Sequence, residues 1–316
     1  LTVFRDHEFT ADMTSRAVKR ISDVRHLKNF QFGEDSGPNA HPIRPASYIA
    51  INNFYTPTVY EKGSEVYRML QTLLGRDIFR RGIEKYFELY DGQAVTVEDL
   101  IYAMEVASEM DLTQFKNWIN QAGTPVCKVS MNYDEKAKKA ELIVEQSCPP
   151  TPDSSEKQPF YFPLSIGLLD KAGKDMLAKI LPISKTKETF AFDHIKERPT
   201  PSLLRDFSAP VKLEYDYSLN DLIFLFSHDS DPYNRYEAGQ RIAMLCLKDL
   251  IQKYQRKEKL SLDKSKPEGQ IIEAFGMPIL ACGQGRHGHF GDLIQGRKIG
   301  DDVRGNRLLV WIENRG

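Results

Sequence analysis

The sequence lacks the features of several large protein classes. No run of about 18 apolar residues is present, so we expect no membrane-spanning helix. A net charge of -1 over 316 residues gives no general attraction to a polyanion, so nucleic acid is not an expected partner. Residues 1–6 contain neither the basic nor the apolar stretch of a signal peptide, and no initiator Met. We therefore expect the chain to begin inside a longer polypeptide.

Cysteine is also scarce, and its spacing excludes the usual small metal and redox sites. The four cysteines are Cys127, Cys148, Cys246 and Cys282, and none of them forms a Cys-x-x-Cys pair. This argues against a zinc knuckle or a redox dithiol. Reduced thiols are typical of a cytoplasmic protein, which is the compartment we expect.

Hydrophobic periodicity divides the chain and predicts a multidomain α+β protein. Helical spacing predicts an amphipathic surface helix in residues 1–32, whose basic outer face, which includes Arg20, we expect to be solvated. After a loop with Gly and Pro at residues 33–50, it predicts four more helices, the last opening at Asp111 and closed by Gly123. Short alternating stretches from Pro125 predict a β-sandwich over residues 124–218. Helical spacing then resumes over residues 219 to about 260, and it is in the resemblance described below that residues 219–275 are the start of a second helical domain. Residues 276–316 hold nine of the 20 glycines, show no apolar periodicity and form an unassigned tail.

The stretch from Asn52 to Gly63 joins a loop rich in aromatics and amides to the start of a helix. Thr58 and Glu61 have the spacing of a capping box, which predicts that Tyr60 lies in the first helical turn. A buried stripe follows at helical spacing, and a glycine well placed to end the helix comes after it: Val59, Val66, Leu70, Leu73 and Gly75. A neutral phenol, with a pKa of about 10, can donate a hydrogen bond to an oxygen that becomes negative during a reaction. The alternative is a packing tyrosine with a satisfied hydroxyl.

Three other patterns resemble functional sites, and each has a simpler explanation. His41 in a Pro-rich loop is more typical of a loop hydrogen bond than of a metal ligand. Residues 283–288 fit the spacing G-x-G-x-x-G, but the glycines that follow would interrupt the helix that a dinucleotide site needs. His287 and His289 have no third His or Cys nearby to complete a metal site.

The residues from Asn52 to Gly63, with Val66, Met69, Leu70 and Leu74-Gly75, closely resemble a segment of the bacterial zinc-dependent aminopeptidase N family. The resemblance extends over about residues 1–260. It implies that residues 1–123 are the C-terminal helical half of a thermolysin-like catalytic domain, followed by the family's β-sandwich and the opening of its helical C-terminal domain. In the family, the Tyr that matches Tyr60 contacts the tetrahedral intermediate opposite the zinc. Asn52 and Tyr55 match positions near the first side chain of the substrate.

The family's metal-binding motif is absent from these 316 residues. No His-Glu-x-x-His occurs, the third zinc ligand would lie just upstream of Leu1, and the Gly-x-Met-Glu-Asn motif that holds the peptide's free amine is missing. The resemblance thus implies zinc as cofactor, while this chain offers no ligands for it. We expect a fragment of a metalloaminopeptidase that is inactive alone. Its expected partners are peptides with a free N-terminus and the N-terminal part of the same enzyme.

Two other functions stay open from the sequence. A non-catalytic folded remnant, or an interaction module built on the β-sandwich, would need no zinc and no reactive tyrosine. A nucleotide-binding tail would depend on the residues after Phe275.

Overall fold

The computed structural model describes residues 1–257, and a helical region opens the chain. Helix α1 (Thr2–Met13) and helix α2 (Arg16–His26) replace the single helix expected for residues 1–32. The break occurs because Ser15 caps a new helix, its hydroxyl accepting a hydrogen bond from the backbone N–H of Val18 at 3.5 Å.

The rest of the helical region consists of short turns and three longer helices. In chain order these are a π-helical turn (Leu27–Gln31), α3 (Phe32–Asp35), a 3-10 turn (Ile51–Phe54), a second π-helical turn (Thr58–Lys62), α4 (Gly63–Leu74), α5 (Arg76–Tyr90), α6 (Val97–Ser108), a 3-10 turn (Gln114–Lys116) and α7 (Asn117–Asn120). The helix expected from Asp111 is thus only two short turns. Its start is a local loop in which the Asp111 carboxylate accepts the N–H of Thr113 at 2.8 Å.

Helix α4 carries the apolar stripe that the sequence predicted. Of the predicted positions, Val66 and Leu70 are buried, Leu73 is half-buried, and Val59 is half-buried in the turn before the helix. Met69 and Leu74 complete the buried face. Gly75 ends the helix with a backbone φ of +82°, a conformation that costs little only for glycine. The predicted helix and its termination are therefore confirmed.

Strands of the β-sandwich form two sheets. The strands are β1 (Val126–Asp134), β2 (Lys139–Ser147), β3 (Phe162–Leu169), β4 (Asp175–Ile183), β5 (Lys187–Phe192), β6 (Thr200–Leu203) and β7 (Lys212–Glu214). One sheet has the order β5-β2-β1-β7 and the other β4-β3-β6. All pairs are antiparallel except β1 with β7. Alternate residues of β2 and β3 fill the core between the sheets: Ala140, Leu142, Val144, Phe162, Leu164, Ile166 and Leu168.

Trp118 joins the helical region to the sandwich. Its indole is fully buried and packs on Phe160, with ring centroids 4.4 Å apart. The indole Nε1 donates to the carbonyl oxygen of Tyr161 at 2.8 Å, so the one polar group of this side chain is satisfied. The helical region and the sandwich therefore share an apolar contact.

Helix α8 (Leu219–His228) and helix α9 (Pro232–Gln255) complete the described chain, and they pack against each other. Ser218 and Asp221 form a capping box at the start of α8. Asp231 caps α9, and Pro232 occupies its first turn. Within residues 1–257, no helix combines the length and the apolar character needed to cross a membrane.

Candidate functional site

Tyr60 lines an open groove on the surface of the helical region. Its side chain is 41% exposed, so it is not a core packing residue. The groove has a volume of about 360 Å³, and its walls come from the start of α1, the loop before the Thr58–Lys62 turn and the first two turns of α4. A phenol at this position can reach a molecule bound in the groove.

Tyr55 lies beside Tyr60 and lines the same groove. The two rings are stacked, with centroids 5.9 Å apart and planes inclined by 23°. Tyr55 is 69% exposed, so most of its ring surface faces solvent and can contact a ligand. The structure thus brings together two of the three residues that the sequence analysis selected.

Asn52 occupies the 3-10 turn before Tyr55 but is not among the groove-lining residues. Its neighbour Asn53 shapes the loop, because the Asn53 carboxamide oxygen accepts the N–H groups of Ile49 at 3.1 Å and Ala50 at 3.0 Å. Asn52 is exposed, and in residues 1–257 its side chain makes no hydrogen bond. Asn52 therefore stands next to the groove with its amide open to solvent.

Tyr67 is a groove residue that the sequence analysis missed. It follows Tyr60 by seven residues, two helical turns, and this spacing was the signal that could have placed it on the same side. Burial raises the pKa of Tyr67 to about 12, so this phenol holds its proton at neutral pH.

The backbone that presents Tyr60 is a π-helical turn, and it is capped differently from the prediction. The expected capping box of Thr58 with Glu61 is wrong. The N–H and hydroxyl of buried Thr58 instead donate to the carboxylate of Glu34 at 2.9 Å and 2.6 Å, and the hydroxyl of Thr56 accepts the N–H of Val59 at 3.2 Å. Glu34 therefore accepts the Thr58 N–H that Glu61 would accept in a capping box, and the Thr58 hydroxyl donates to Glu34 rather than accepting a helix N–H.

Lys62, in the same turn, is buried and was also missed. Its ammonium donates to the carboxylate of Asp35 at 2.8 Å and to the carbonyl oxygen of Gly123 at 3.0 Å. The available signal was its register, because Lys62 precedes buried Val66 by four residues and so falls on the apolar stripe of α4.

The described residues do not fit a catalytic zinc ion. Such a site takes three protein ligands, and residues 1–257 contain no group of three His, Cys, Asp or Glu side chains placed to hold a metal. His41, considered as a ligand, has its Nδ1 atom 2.8 Å from the carbonyl oxygen of Pro42. His287, His289 and the G-x-G-x-x-G stretch lie outside the described residues.

Comparison with family models divides the chain into three matched regions. Residues 1–118 match the peptidase family M1 domain. Residues 123–216 match a domain of unknown function (DUF3458) described as an Ig-like fold, and residues 219–281 match a second such domain (DUF3458_C) described as ARM repeats. The predicted order of a helical peptidase part, a β-sandwich and a helical domain is confirmed.

Similar proteins include aminopeptidase N of Escherichia coli and of Haemophilus influenzae, each 44% identical over 270 residues, or 83% of this chain and 31% of the relative. Aminopeptidase N of Caulobacter vibrioides is 46% identical over 251 residues, or 79% of this chain and 29% of the relative. Among solved structures, Legionella pneumophila aminopeptidase A in complex with aspartic acid gives a TM-score of 0.71 at 29% identity, covering 89% of this chain and 30% of that chain. The chain thus spans about 30% of the length of these relatives.

Proposed function

Because this chain belongs to the bacterial aminopeptidase N family over its M1, Ig-like and ARM-repeat regions, we propose that it is part of a metalloaminopeptidase that removes N-terminal residues from peptides. The observation that carries the proposal is the exposed phenol of Tyr60, stacked with Tyr55 in an open groove within the M1 region. The proposed domain division is 1–123, 124–218, 219–275 and 276–316, and the proposed compartment is the cytoplasm.

Tyr60 is proposed as the catalytic residue. When water adds to a peptide carbonyl, the oxygen gains negative charge, and a phenol that holds its proton can donate a hydrogen bond to it. The groove excludes part of the solvent from this position, which strengthens such a bond relative to one in open water. The turn holds the donor in place before the substrate arrives, so little reorganisation is needed.

Tyr55 and Asn52 are proposed as substrate-binding residues. The exposed ring of Tyr55 offers an apolar face to the first side chain of a peptide, while the solvent-exposed amide of Asn52 can both donate and accept hydrogen bonds. Because Asn52 lies outside the groove lining, its contact would be with the part of the substrate nearest the solvent.

Zinc is the cofactor that the family implies, and it would activate the water and polarise the carbonyl. Since the sequence has no His-Glu-x-x-His, we propose that the 316-residue chain alone is inactive and that activity requires a polypeptide segment carrying this motif. Stoichiometric zinc by mass spectrometry, together with steady release of N-terminal residues by the isolated chain, would contradict this.

Kinetics of Tyr60→Phe test the catalytic role in an enzyme that joins this chain to such a segment. Loss of the donor should lower kcat by about 100- to 1,000-fold, with KM changed by less than about threefold. Tyr102→Phe, an exposed tyrosine on α6, is the matched control and should leave both constants unchanged. A Tyr60→Phe enzyme with the kcat of the unsubstituted enzyme would remove Tyr60 from the mechanism.

A further inference from the structure

Two π-helical turns pack side by side behind the groove. The Leu27–Gln31 turn leads into α3, and the Thr58–Lys62 turn carries Tyr60. The carboxamide Nε2 of Gln31 donates to the Thr58 hydroxyl at 3.3 Å, so the last residue of one turn bonds the first residue of the other. Such turns carry one residue more than an α-helical turn and are frequent at functional sites. The Thr58–Lys62 turn therefore needs contacts that fix its rotation about its own axis, because that rotation decides which way Tyr60 faces.

A buried ion pair lies at the centre of this arrangement. The Lys62 side chain is 1% exposed and the Asp35 side chain 0%. Besides the Lys62 ammonium, the Asp35 carboxylate accepts the Gly123 N–H at 3.2 Å and the Thr124 hydroxyl at 2.8 Å. Burial alone would raise the pKa of Asp35, but the Lys62 charge and these hydrogen bonds hold that pKa below its ordinary value. Both charges are therefore compensated where water cannot reach them.

Lys62 and Tyr60 are two residues apart in one turn and have opposite environments. Lys62 is inside the protein, and Tyr60 is 41% exposed in the groove. Apolar contacts are non-directional and would tolerate a small rotation of the turn. The Lys62 ammonium tolerates none, because leaving Asp35 would create two uncompensated buried charges. Together with the hydrogen bonds from Thr58 to Glu34, the ion pair favours one rotation of the turn, and in that rotation Tyr60 lies in the groove.

We propose that Lys62 and Asp35 are positioning residues for Tyr60, holding its π-helical turn in one orientation and tying that turn to Gly123 and Thr124, where the chain enters the β-sandwich. The consequence for catalysis rests on the function proposed above, whereas the consequence for the orientation of Tyr60 does not. Neither residue touches the groove, so both act through Tyr60.

An NMR measurement on the isolated 316-residue chain tests the orientation directly. The chain is labelled with 3-fluorotyrosine, and the Tyr60 signal among its 14 tyrosines is assigned by its loss in Tyr60→Phe. The test variant is Lys62→Met with Asp35→Leu, which removes both charges and leaves no unpaired one. The control is Arg205→Met with Asp175→Leu and Asp229→Leu, which removes the buried Arg205 guanidinium of the sandwich together with both of its carboxylate partners, at 2.6 Å and 3.0 Å.

The proposal predicts one narrow Tyr60 resonance in the unsubstituted chain and in the control. In the test variant the resonance should broaden or split, and amide exchange over residues 58–62 should rise at least about tenfold relative to the rest of α4. Unchanged Tyr60 signal and exchange in a folded test variant would overturn the proposal. If that variant does not fold, Lys62→Met with Asp35→Asn, which also removes both charges and keeps an acceptor oxygen for the Gly123 N–H and the Thr124 hydroxyl, must give the same changes or the proposal fails.

A kinetic cycle in the enzyme joined to its metal-binding segment tests the catalytic consequence. Lys62→Met with Asp35→Leu should lower kcat at least about tenfold with little change in KM, because the donor is misplaced rather than lost. Adding Tyr60→Phe should then cost much less than it does alone, whereas independent roles would multiply the two losses. If Tyr60→Phe alone has no effect on kcat, the proposed function fails while the NMR result still decides whether the ion pair orients Tyr60.

Discussion

Replacing Arg20 by Met should strongly destabilise the protein, because this side chain links three parts of the chain. Its guanidinium forms a two-pronged ion pair with the Glu65 carboxylate, with both N–O distances 2.7 Å. It also donates to the backbone carbonyl oxygens of two sandwich residues, Asp206 and Phe207, both at 2.9 Å. The Arg20 side chain is 6% exposed and the Glu65 side chain 5%, so water cannot replace these bonds without rearrangement.

The magnitude follows from what Arg20→Met leaves behind. An unpaired buried carboxylate costs about 3 to 5 kcal/mol, and each carbonyl without a donor adds up to about 1 kcal/mol. We therefore expect the free energy of unfolding to fall by about 3 to 7 kcal/mol. That is a large part of the total for a typical domain, about 5 to 15 kcal/mol.

Urea unfolding followed by circular dichroism measures this loss. Arg80→Met is the matched control, because the Arg80–Glu84 pair is exposed and should contribute less than about 1 kcal/mol. Arg20→Met combined with Glu65→Leu should recover most of the loss, since no orphan charge remains. A destabilisation of Arg20→Met below about 1 kcal/mol would refute the reasoning that this ion pair is buried and structural.

Three further predictions follow from single residues. Burial would raise the pKa of Glu65, but Arg20 lowers that pKa below its ordinary value. The stabilisation by the Glu65 carboxylate is therefore present above about pH 4.3 and is lost as the pH falls through the lower native pKa. Urea titrations between pH 7 and 3 should show a steeper loss of stability for the unsubstituted chain than for Glu65→Gln, and equal slopes would count against this prediction. Gly75→Ala should destabilise by about 1 to 3 kcal/mol, because φ +82° with ψ 152° is a conformation open essentially only to glycine. Gly33→Ala, at an exposed helical position with open space for a methyl group, should stabilise by about 0.5 kcal/mol. Thermal melting that shifts both variants the same way would contradict this. Burial raises the pKa of Cys127 to about 12. Its thiol should therefore stay unmodified by a thiol reagent at pH 8 in the native chain and react after unfolding. Rapid modification of Cys127 in the native chain would show that the thiol is accessible.

Features encoded by neighbouring residues could be predicted from the sequence. The stripe on α4 and its end at Gly75 depend on residues three or four apart and on one backbone conformation. The change from helical to alternating periodicity near Pro125 likewise located the start of the sandwich. Tyr60 is exposed beside Tyr55 in the groove, and their catalytic and binding roles stay predictions.

Features that depend on distant partners could not be predicted in this way. Arg20 was expected on a solvated face, yet it is buried because Glu65, 45 residues away, supplies the opposite charge. Lys62 is buried for the same reason, with Asp35 27 residues away. Nothing in local spacing encodes such a pairing, so a charged residue on an apolar stripe is the only sequence signal of one.

β4 and β6 lie in stretches where the sequence shows no alternating pattern, so they could not be predicted, for a different physical reason. β4 and β6 are the edge strands of their sheet. The middle of β4 is exposed around Lys179 and Ile180, so its residues do not alternate between buried and exposed. β6 contains Pro201, which lacks the N–H of a ladder and is tolerated only at an edge. Period-two patterns are reliable for half-buried central strands and fail at such edges.

The central claim is that the Tyr60 phenol stabilises the negative oxygen of the transition state and not the bound substrate. The most direct measurement compares a peptide phosphonate, whose tetrahedral oxygens imitate that state, with the matched peptide substrate in the enzyme joined to its metal-binding segment. Tyr60→Phe should weaken inhibition by the phosphonate about 100-fold, while KM for the peptide should change less than about threefold. Equal phosphonate affinity in the two enzymes would contradict it.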